Sequence, residues 1–209
     1  MIGSNKEKGA PPTILQKFFT GDIDFIKNKL TRNQNILEVG CGFGRLLYPL
    51  STVSKNVTGI DFSKNQIQKT ANNTKQSKNI TVRLMRAEKM NFKNNCFDQS
   101  ICLNNSLGNM PGIEKQVIQE MKRITKAGGK IIVRVFADNT KVRKAQHQNY
   151  RRLNFTGIRD FKQAVTTQEG FYSRRFTRKN LQDIFHNCNL KPKIIKDGEA
   201  GYIAEATKK

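Results

Sequence analysis

Four residues in the first third of the chain have the types and spacing to hold a small charged ligand. Glu38 is followed by three alternating glycines, Gly40, Gly42 and Gly44. Glycine accepts positive φ and has no Cβ, so the backbone can turn sharply and a ligand can approach it closely. A carboxylate beside such a turn suits a ligand with a positive group or hydroxyl groups. The alternative is a strand-to-helix turn that binds no ligand.

The flanking residues predict how a second carboxylate joins the first. Apolar residues at 36–39 predict a buried strand, a leucine-rich helix ends near Ser54, and residues 56–61 predict a second strand. A βαβ unit returns its second strand beside the first, so Asp61 should lie near Glu38 at the carboxyl edge of the sheet. An acid there can accept hydrogen bonds from ribose hydroxyls, or it can merely help to cap the next helix.

The glycine spacing separates two nucleotide-binding patterns. A dinucleotide fingerprint, G-x-G-x-x-G, would place its third glycine at Arg45. The run E-x-G-x-G-x-G instead resembles the first motif of the class I S-adenosylmethionine (SAM)-dependent methyltransferases, and the resemblance extends over residues 35–206. It implies SAM as cofactor and S-adenosylhomocysteine as product.

The resemblance also implies which residues bind that cofactor. Phe62 would lie against the adenine ring. The position that usually supplies an acid for the adenine amino group holds Arg86 here, so Glu88 or the backbone of Ala87 would take over. The full predicted set is Glu38, Gly40, Cys41, Gly42, Gly44, Arg45, Asp61, Phe62, Ala87, Glu88, Leu103 and Asn104.

Polar residues follow the predicted fourth strand, 96–103. Ligands of open α/β sheets bind outside the carboxyl ends of the strands, where the strand order switches, and strands one and four flank that point. Side chains in this loop should therefore orient the methyl acceptor. The candidates are Asn104, Asn105 and Ser106, with His147 and Tyr150 as weaker ones.

The same loop bears on the class of acceptor. The run F-D-x-x-I-C-L-x-N-S-L-G at 97–108 resembles methyltransferases of small molecules, including amine N-methyltransferases. Many nucleic-acid amino-methyltransferases carry Asp or Asn before Pro-Pro and an aromatic residue, and this sequence has no such run. It also lacks the Pro-Cys or Thr-Cys nucleophile used on pyrimidine C5.

The order of the predicted elements indicates an α/β fold. The resemblance implies one domain with a three-layer, doubly wound, mostly parallel sheet of seven strands in the order 3-2-1-4-5-7-6. Residues 1–34 should form a lead-in and two short helices broken near Gly21, and residues 35–209 the SAM-binding domain. The predicted strands span 36–39, 56–61, 80–85, 96–103, 131–136, 191–195 and 202–206.

An insertion at 138–175 interrupts the strand–helix rhythm after the fifth strand. It carries nine Lys and Arg residues against three acids, interleaved with aromatics. We expect it to lie over the active site as a substrate cap suited to an anionic or nucleotide-bearing acceptor. The alternative is a solvated helix and hairpin whose aromatic side chains pack inward.

Composition limits the partners and the compartment. The 209 residues include 38 Lys and Arg against 16 acids, a formal charge of +22. This positive charge favours binding of polyanionic partners. Alternatively, it is spread over the surface of a soluble enzyme and serves no particular partner. Four cysteines without metal-ligand spacing, two histidines and no long apolar stretch predict a cytoplasmic protein without a metal site or membrane span.

Three hypotheses follow. The first is methyl transfer from SAM to nitrogen or oxygen of a small molecule, mainly by proximity and orientation of the acceptor. The second is the same chemistry on RNA or another macromolecule, motivated by the net charge. The third is a SAM-binding protein without catalysis, motivated by Arg86 at the usual acid position.

Overall fold

The computed structural model describes residues 10–30 and 33–209. Its helices are α1 (Thr13–Lys29), α2 (Leu47–Val53), α3 (Lys64–Thr74), α4 (Glu114–Ile124), α5 (Thr140–Arg152) and α6 (Arg178–His186). Its strands are β1 (Asn35–Val39), β2 (Asn56–Asp61), β3 (Ile80–Leu84), β4 (Phe97–Cys102), β5 (Thr125–Phe136), β6 (Arg159–Phe161), β7 (Ala164–Thr166), β8 (Tyr172–Arg174), β9 (Lys193–Asp197) and β10 (Gly201–Thr207). The predicted lead-in at 1–9 lies outside the described residues.

The main sheet has seven strands in the order β3-β2-β1-β4-β5-β10-β9. Neighbours from β3 to β5 pair in parallel, whereas β10 runs antiparallel to β5 and β9. Since β9 and β10 are the last two strands of the chain, the predicted order and the predicted fold class are confirmed.

Alternating side chains of the central strands create a core on both faces of the sheet. Ile36 packs with leucines of α2, whereas its neighbours Leu37 and Val39 pack with the apolar faces of α4 and α6. These side chains are fully buried, as expected for parallel strands covered by helices on both sides. The result is the predicted three-layer arrangement, with the carboxyl ends of β1, β2 and β4 at one edge.

The N-terminal segment differs from the prediction because α1 is one continuous helix. Gly21 lies inside it rather than at a break. A Cβ at Gly21 would come within 2.8 Å of the Arg134 guanidinium, so glycine here allows close contact with β5. Phe18 is buried against Phe136, with ring centroids 4.5 Å apart, and so packs in the core.

The start of the fifth strand also differs from the prediction. The predicted strand covers 131–136, but β5 begins at Thr125, immediately after α4. Within this stretch Gly128 has φ of +76°, and its N–H donates to the carbonyl of Lys208. Pairing with the last residues of the chain therefore extends β5 at its amino end.

The insertion forms α5 and a small antiparallel sheet, β6-β7-β8. Tyr150, Phe155 and Phe171 form an aromatic cluster with ring centroids 5.2–5.8 Å apart, whereas Phe161 is 59% exposed. Arg175 is buried and binds carboxylates on both sides, so this segment has its own polar core. Most of its aromatic side chains therefore pack inward.

No described helix combines the length and apolar character needed to cross a membrane.

Candidate active site

The glycine turn joins β1 to α2, and its three glycines serve different purposes. All three have positive φ, at +73°, +53° and +81° for Gly40, Gly42 and Gly44. A Cβ on Gly40 would come within 2.8 Å of Ser106, and one on Gly44 within 2.5 Å of Thr70. A Cβ on Gly42 would meet no atom within 4 Å, so this is the glycine with open space where a ligand can approach.

Asp61, at the end of β2, stabilises the glycine turn by a hydrogen bond to its backbone. Its carboxylate accepts hydrogen bonds from the N–H of Gly42 at 3.0 Å and the N–H of Ser63 at 2.9 Å. Thr70 of α3 donates its hydroxyl to the carbonyl of Gly42 at 2.9 Å. An ionised carboxylate has about four acceptor positions, so Asp61 retains capacity for ligand hydroxyls. The side chain of Ser63 accepts from the N–H of Gln66 and caps α3, whereas Asp61, the predicted alternative cap, accepts from Gly42 and Ser63.

Glu38 lies at the carboxyl end of β1 and is the most perturbed acid near this turn. It is 4% exposed, and its Oε2 atom is buried without a hydrogen-bond partner. Burial raises the pKa of Glu38 to about 8, while Arg45 opposes the rise and the negative charges of Asp22 and Asp61 add to it. An unpartnered buried acceptor is costly, so Oε2 of Glu38 is a candidate partner for a hydrogen-bond donor of a ligand.

Two predicted cofactor residues of the turn direct their side chains elsewhere. The guanidinium of Arg45 donates to the carbonyl of Phe19 at 2.9 Å and to the carboxylate of Asp22. The Cys41 thiol is buried near Gly59, and burial raises its pKa. The side chain of Arg45 therefore anchors α1 and that of Cys41 packs in the core, while the assignment of both residues to the cofactor stays a prediction.

A buried ion network, missed by the sequence analysis, joins this turn to α1 and the far side of the sheet. Asp22 is fully buried between Arg45 and Arg134, with an Nη1–Oδ1 distance of 2.6 Å to Arg134. Arg134 also binds Asp197 at 2.6 Å and stacks over the ring of Phe18 at 4.0 Å. The available signal was an arginine within the apolar run 131–136, which needs a buried partner.

The predicted adenine side is formed by the ends of β2 and β3. Phe62 is 69% exposed, so its ring is free to cover a flat ligand. Ala87 is buried, and Glu88 is held by Arg86 at 2.5 Å. Glu88 therefore neutralises the arginine that occupies the usual acid position, and its carboxylate is already engaged.

The loop after β4 contains two successive left-handed asparagines. Asn104 and Asn105 have φ of 56° and 59°, a conformation that is rare outside glycine and concentrates at functional sites. The Oδ1 atom of Asn104 is buried without a hydrogen-bond partner. Ser106 donates its hydroxyl to the carbonyl of Gly40 at 3.1 Å, so the loop contacts the glycine turn directly.

Asn105 serves the fold rather than a ligand, which corrects its prediction. It is 1% exposed, and its amide oxygen accepts from the N–H of Phe136 at 2.9 Å. Its amide nitrogen donates to the hydroxyl of Ser173 and the carbonyl of Arg174. These bonds join the ends of β4 and β5 to β8 of the insertion.

The two weaker candidates belong to the polar core of the insertion. His147 contacts Asp160 at 3.0 Å. Tyr150 is buried with its hydroxyl bonded to Ser173 and Gln146, and burial raises its pKa to about 12. These contacts hold both side chains within the insertion, and their role in orienting the acceptor stays a prediction.

A cavity of about 550 Å³ lies between the start of α1 and the turn from β9 to β10. Phe18 and Arg134 contribute to its wall, but the predicted cofactor residues do not. Among the described residues, no three His, Cys, Asp or Glu side chains meet in a way that would hold a metal ion.

The fold and the glycine turn together define a class I SAM-dependent methyltransferase. A family model described as a methyltransferase domain matches residues 30–189, and the chain belongs to that family. Its cofactor is therefore SAM, and its activity is methyl transfer.

Individual relatives are more distant. An uncharacterised protein of Methanocaldococcus jannaschii is 27% identical over 195 residues, which cover 91% of this chain and 89% of that protein. A demethylmenaquinone methyltransferase of Tropheryma whipplei is 31% identical over 111 residues, covering 52% of this chain and 44% of that enzyme. The structure of a SAM-dependent methyltransferase from Methanosarcina mazei superposes with a TM-score of 0.68 at 22% identity, covering 88% of this chain and 96% of the other.

Proposed function

We propose that this methyltransferase transfers the methyl group of SAM to nitrogen or oxygen of a small-molecule acceptor. The observation that carries the proposal is the buried, unpartnered Oδ1 of Asn104 at the switch point of the sheet. An acceptor-only oxygen in that position is complementary to an N–H or O–H group. The similarity to a demethylmenaquinone methyltransferase supports a small acceptor, although the chain covers less than half of that enzyme.

The residues present fit the cofactor. The orphaned Oε2 of Glu38 suits the ammonium of the methionine part, and Asp61 suits the ribose hydroxyls. Open space above Gly42 lets the backbone approach the ligand, and Phe62 offers an exposed ring to adenine. When bound, SAM supplies a methyl group on a sulfonium that is already a good leaving group.

The contribution of the protein is mainly orientation. Asn104 would fix the acceptor by accepting its hydrogen, which turns the lone pair of the nucleophile toward the cofactor side. The insertion 138–175 would complete the site as a cap, because Asn105 ties β8 to the loop that carries Asn104.

The four cysteines are free thiols, which suits a reducing compartment such as the cytoplasm.

Incubation with methyl-labelled SAM and separate pools of small metabolites and RNA tests the proposal. Label in the small-molecule pool alone is the expected result, and its recovery identifies the acceptor. Label in RNA alone would contradict the proposal and favour the macromolecular alternative.

Asp61→Ala should weaken binding of S-adenosylhomocysteine by about 1–3 kcal/mol, because hydrogen bonds to a charged group are lost. Isothermal titration calorimetry measures the change. Asp183→Ala, which removes an exposed carboxylate on α6, is the matched control and should bind normally. Equal affinities of both variants would remove Asp61 from the cofactor site.

Asn104→Ala should lower kcat/KM for the recovered acceptor by about 5- to 150-fold, the effect of losing a hydrogen bond of 1–3 kcal/mol. Affinity for S-adenosylhomocysteine should remain unchanged. Asn109→Ala, at an exposed asparagine of the 3-10 helix Ser106–Asn109, is the control. A loss confined to cofactor affinity would instead assign Asn104 to the cofactor, the other role predicted from the sequence.

A further inference from the structure

The longest acid-free stretch of the chain forms one edge of the molecule. Between Asp61 and Glu88 the sequence has no Asp or Glu over residues 62–87, but it has six cations. These residues build α3, the turn after it and the edge strand β3. The cations are Lys64, Lys69, Lys75, Lys78, Arg83 and Arg86, and all are exposed.

Most of the positive charges on this edge lack a carboxylate partner among the described residues. Some bases on other elements lie beside acids, as in the pairs Lys130–Glu205 and Lys141–Glu199. Among the described residues, the ion pair within 62–95 is that of Arg86 with Glu88. The four lysines of α3 and its following turn have no carboxylate partner in the described parts of the chain. Their positive charge is therefore available to an anion.

Most of the other exposed groups on α3 and the turn after it are hydrogen-bonding amides, whereas β3 also exposes Leu84 at its end. The amides alternate with the lysines along α3 and the turn: Asn65, Gln68, Asn72, Asn73 and Gln76. Lysines suit phosphates, and amides suit sugars and base edges. The exposed face of α3 offers only Ala71 as an apolar side chain, whereas a helix that inserts into a membrane surface needs large apolar residues there.

We propose that this edge, formed by α3, the turn after it and β3, binds single-stranded RNA. Because α3 packs along β2 and β3 with α2 on the same face, it does not project as a helix that could enter the major groove of duplex DNA. A flexible single strand can follow the row of lysines along the edge.

The RNA edge is separate from the methyl-acceptor residues. Three strand spacings divide β3 from β4, a distance of about 14 Å. RNA bound along α3 and β3 leaves the Asn104 loop accessible, so RNA binding does not use the methyl-acceptor residues.

Fluorescence anisotropy with fluorescein-labelled U20 RNA tests the proposal. The test variant carries Lys64→Gln, Lys69→Gln, Lys75→Gln and Lys78→Gln. The control carries Lys179→Gln, Lys191→Gln, Lys193→Gln and Lys196→Gln, four exposed lysines elsewhere, and loses the same net charge. We expect the test variant to lose at least tenfold in affinity and the control less than threefold. The salt slope of log K should fall by about 0.7 for each lost phosphate contact.

Equal losses in both variants, or no binding of U20 by the wild-type protein at 50 mM salt, would overturn the proposal. So would tighter binding of duplex DNA or anionic vesicles than of U20. Methyl transfer to the small-molecule pool should be equal in wild type and test variant. Failure of RNA binding with intact methyl transfer would thus leave the proposed function standing.

Discussion

Glu38→Gln should stabilise the free protein and weaken its binding of the cofactor. Burial is the chief reason that the pKa of Glu38 is raised to about 8 from its ordinary value of 4.5. Between these values the folded state holds a proton that the unfolded state has released, so stability falls by about 1.4 kcal/mol for each pH unit. Glutamine removes this dependence and should raise the free energy of unfolding by about 3 kcal/mol at pH 7.

Urea denaturation at several pH values measures the first half of this prediction. The advantage of Glu38→Gln over wild type should be small near pH 5 and grow up to about pH 8. Glu199→Gln, which changes a fully exposed carboxyl, should show no growing advantage. An advantage that does not change with pH would mean that Glu38 is ionised in the free protein.

Measurements of cofactor binding test the second half of the Glu38→Gln prediction. The ammonium of S-adenosylhomocysteine favours ionised Glu38, so binding by the wild-type protein should release a proton at pH 6.5 and strengthen as pH rises toward 8. Calorimetry in buffers of different ionisation enthalpy measures that proton. Glu38→Gln should lose at least tenfold in affinity, a cost of about 1.4 kcal/mol, and release no proton. Normal affinity of this variant would remove Glu38 from the cofactor site.

The trade-off explains why a buried unpartnered carboxyl persists in this fold. A neutral side chain would pack more stably, but it would give the ammonium no counter-charge. Functional sites commonly keep groups that lower stability.

The sequence predicted the central strands and the glycine turn because both follow from local patterns. Apolar runs, glycine spacing and Asp61 at the end of the second strand suffice to place the site at one edge. The strand order came from the resemblance and matches the structure in all seven positions.

Side-chain directions were predicted less well because they depend on partners far along the chain. Arg45 turns away from the ligand site because Asp22, 23 residues earlier, receives its guanidinium. Asn105 is occupied by Ser173, 68 residues later. Gly21 was predicted to break the helix. The position instead needs glycine because Arg134 approaches it closely, and that contact cannot be inferred from neighbouring residues.

Asp22→Ala should be among the most damaging single substitutions in the chain. Asp22 is fully buried and neutralises both Arg45 and Arg134, and Arg134 is 2% exposed. Removing one partner of a buried ion pair leaves uncompensated charge and costs about 3–5 kcal/mol. Since a whole domain is stable by about 5–15 kcal/mol, this variant should unfold at a much lower urea concentration.

Asp24→Ala is the matched control, because Asp24 lies two residues farther along α1 and is exposed. It should change stability by less than about 0.5 kcal/mol. The double variant Asp22→Ala with Arg134→Met should recover part of the loss, since it removes one of the stranded cations together with its partner. Equal urea midpoints for Asp22→Ala and Asp24→Ala would mean that the carboxylate of Asp22 does not hold α1 in place. The predicted loss, in contrast, would make α1 an integral part of the domain, fixed by the same arginine that ends the glycine turn.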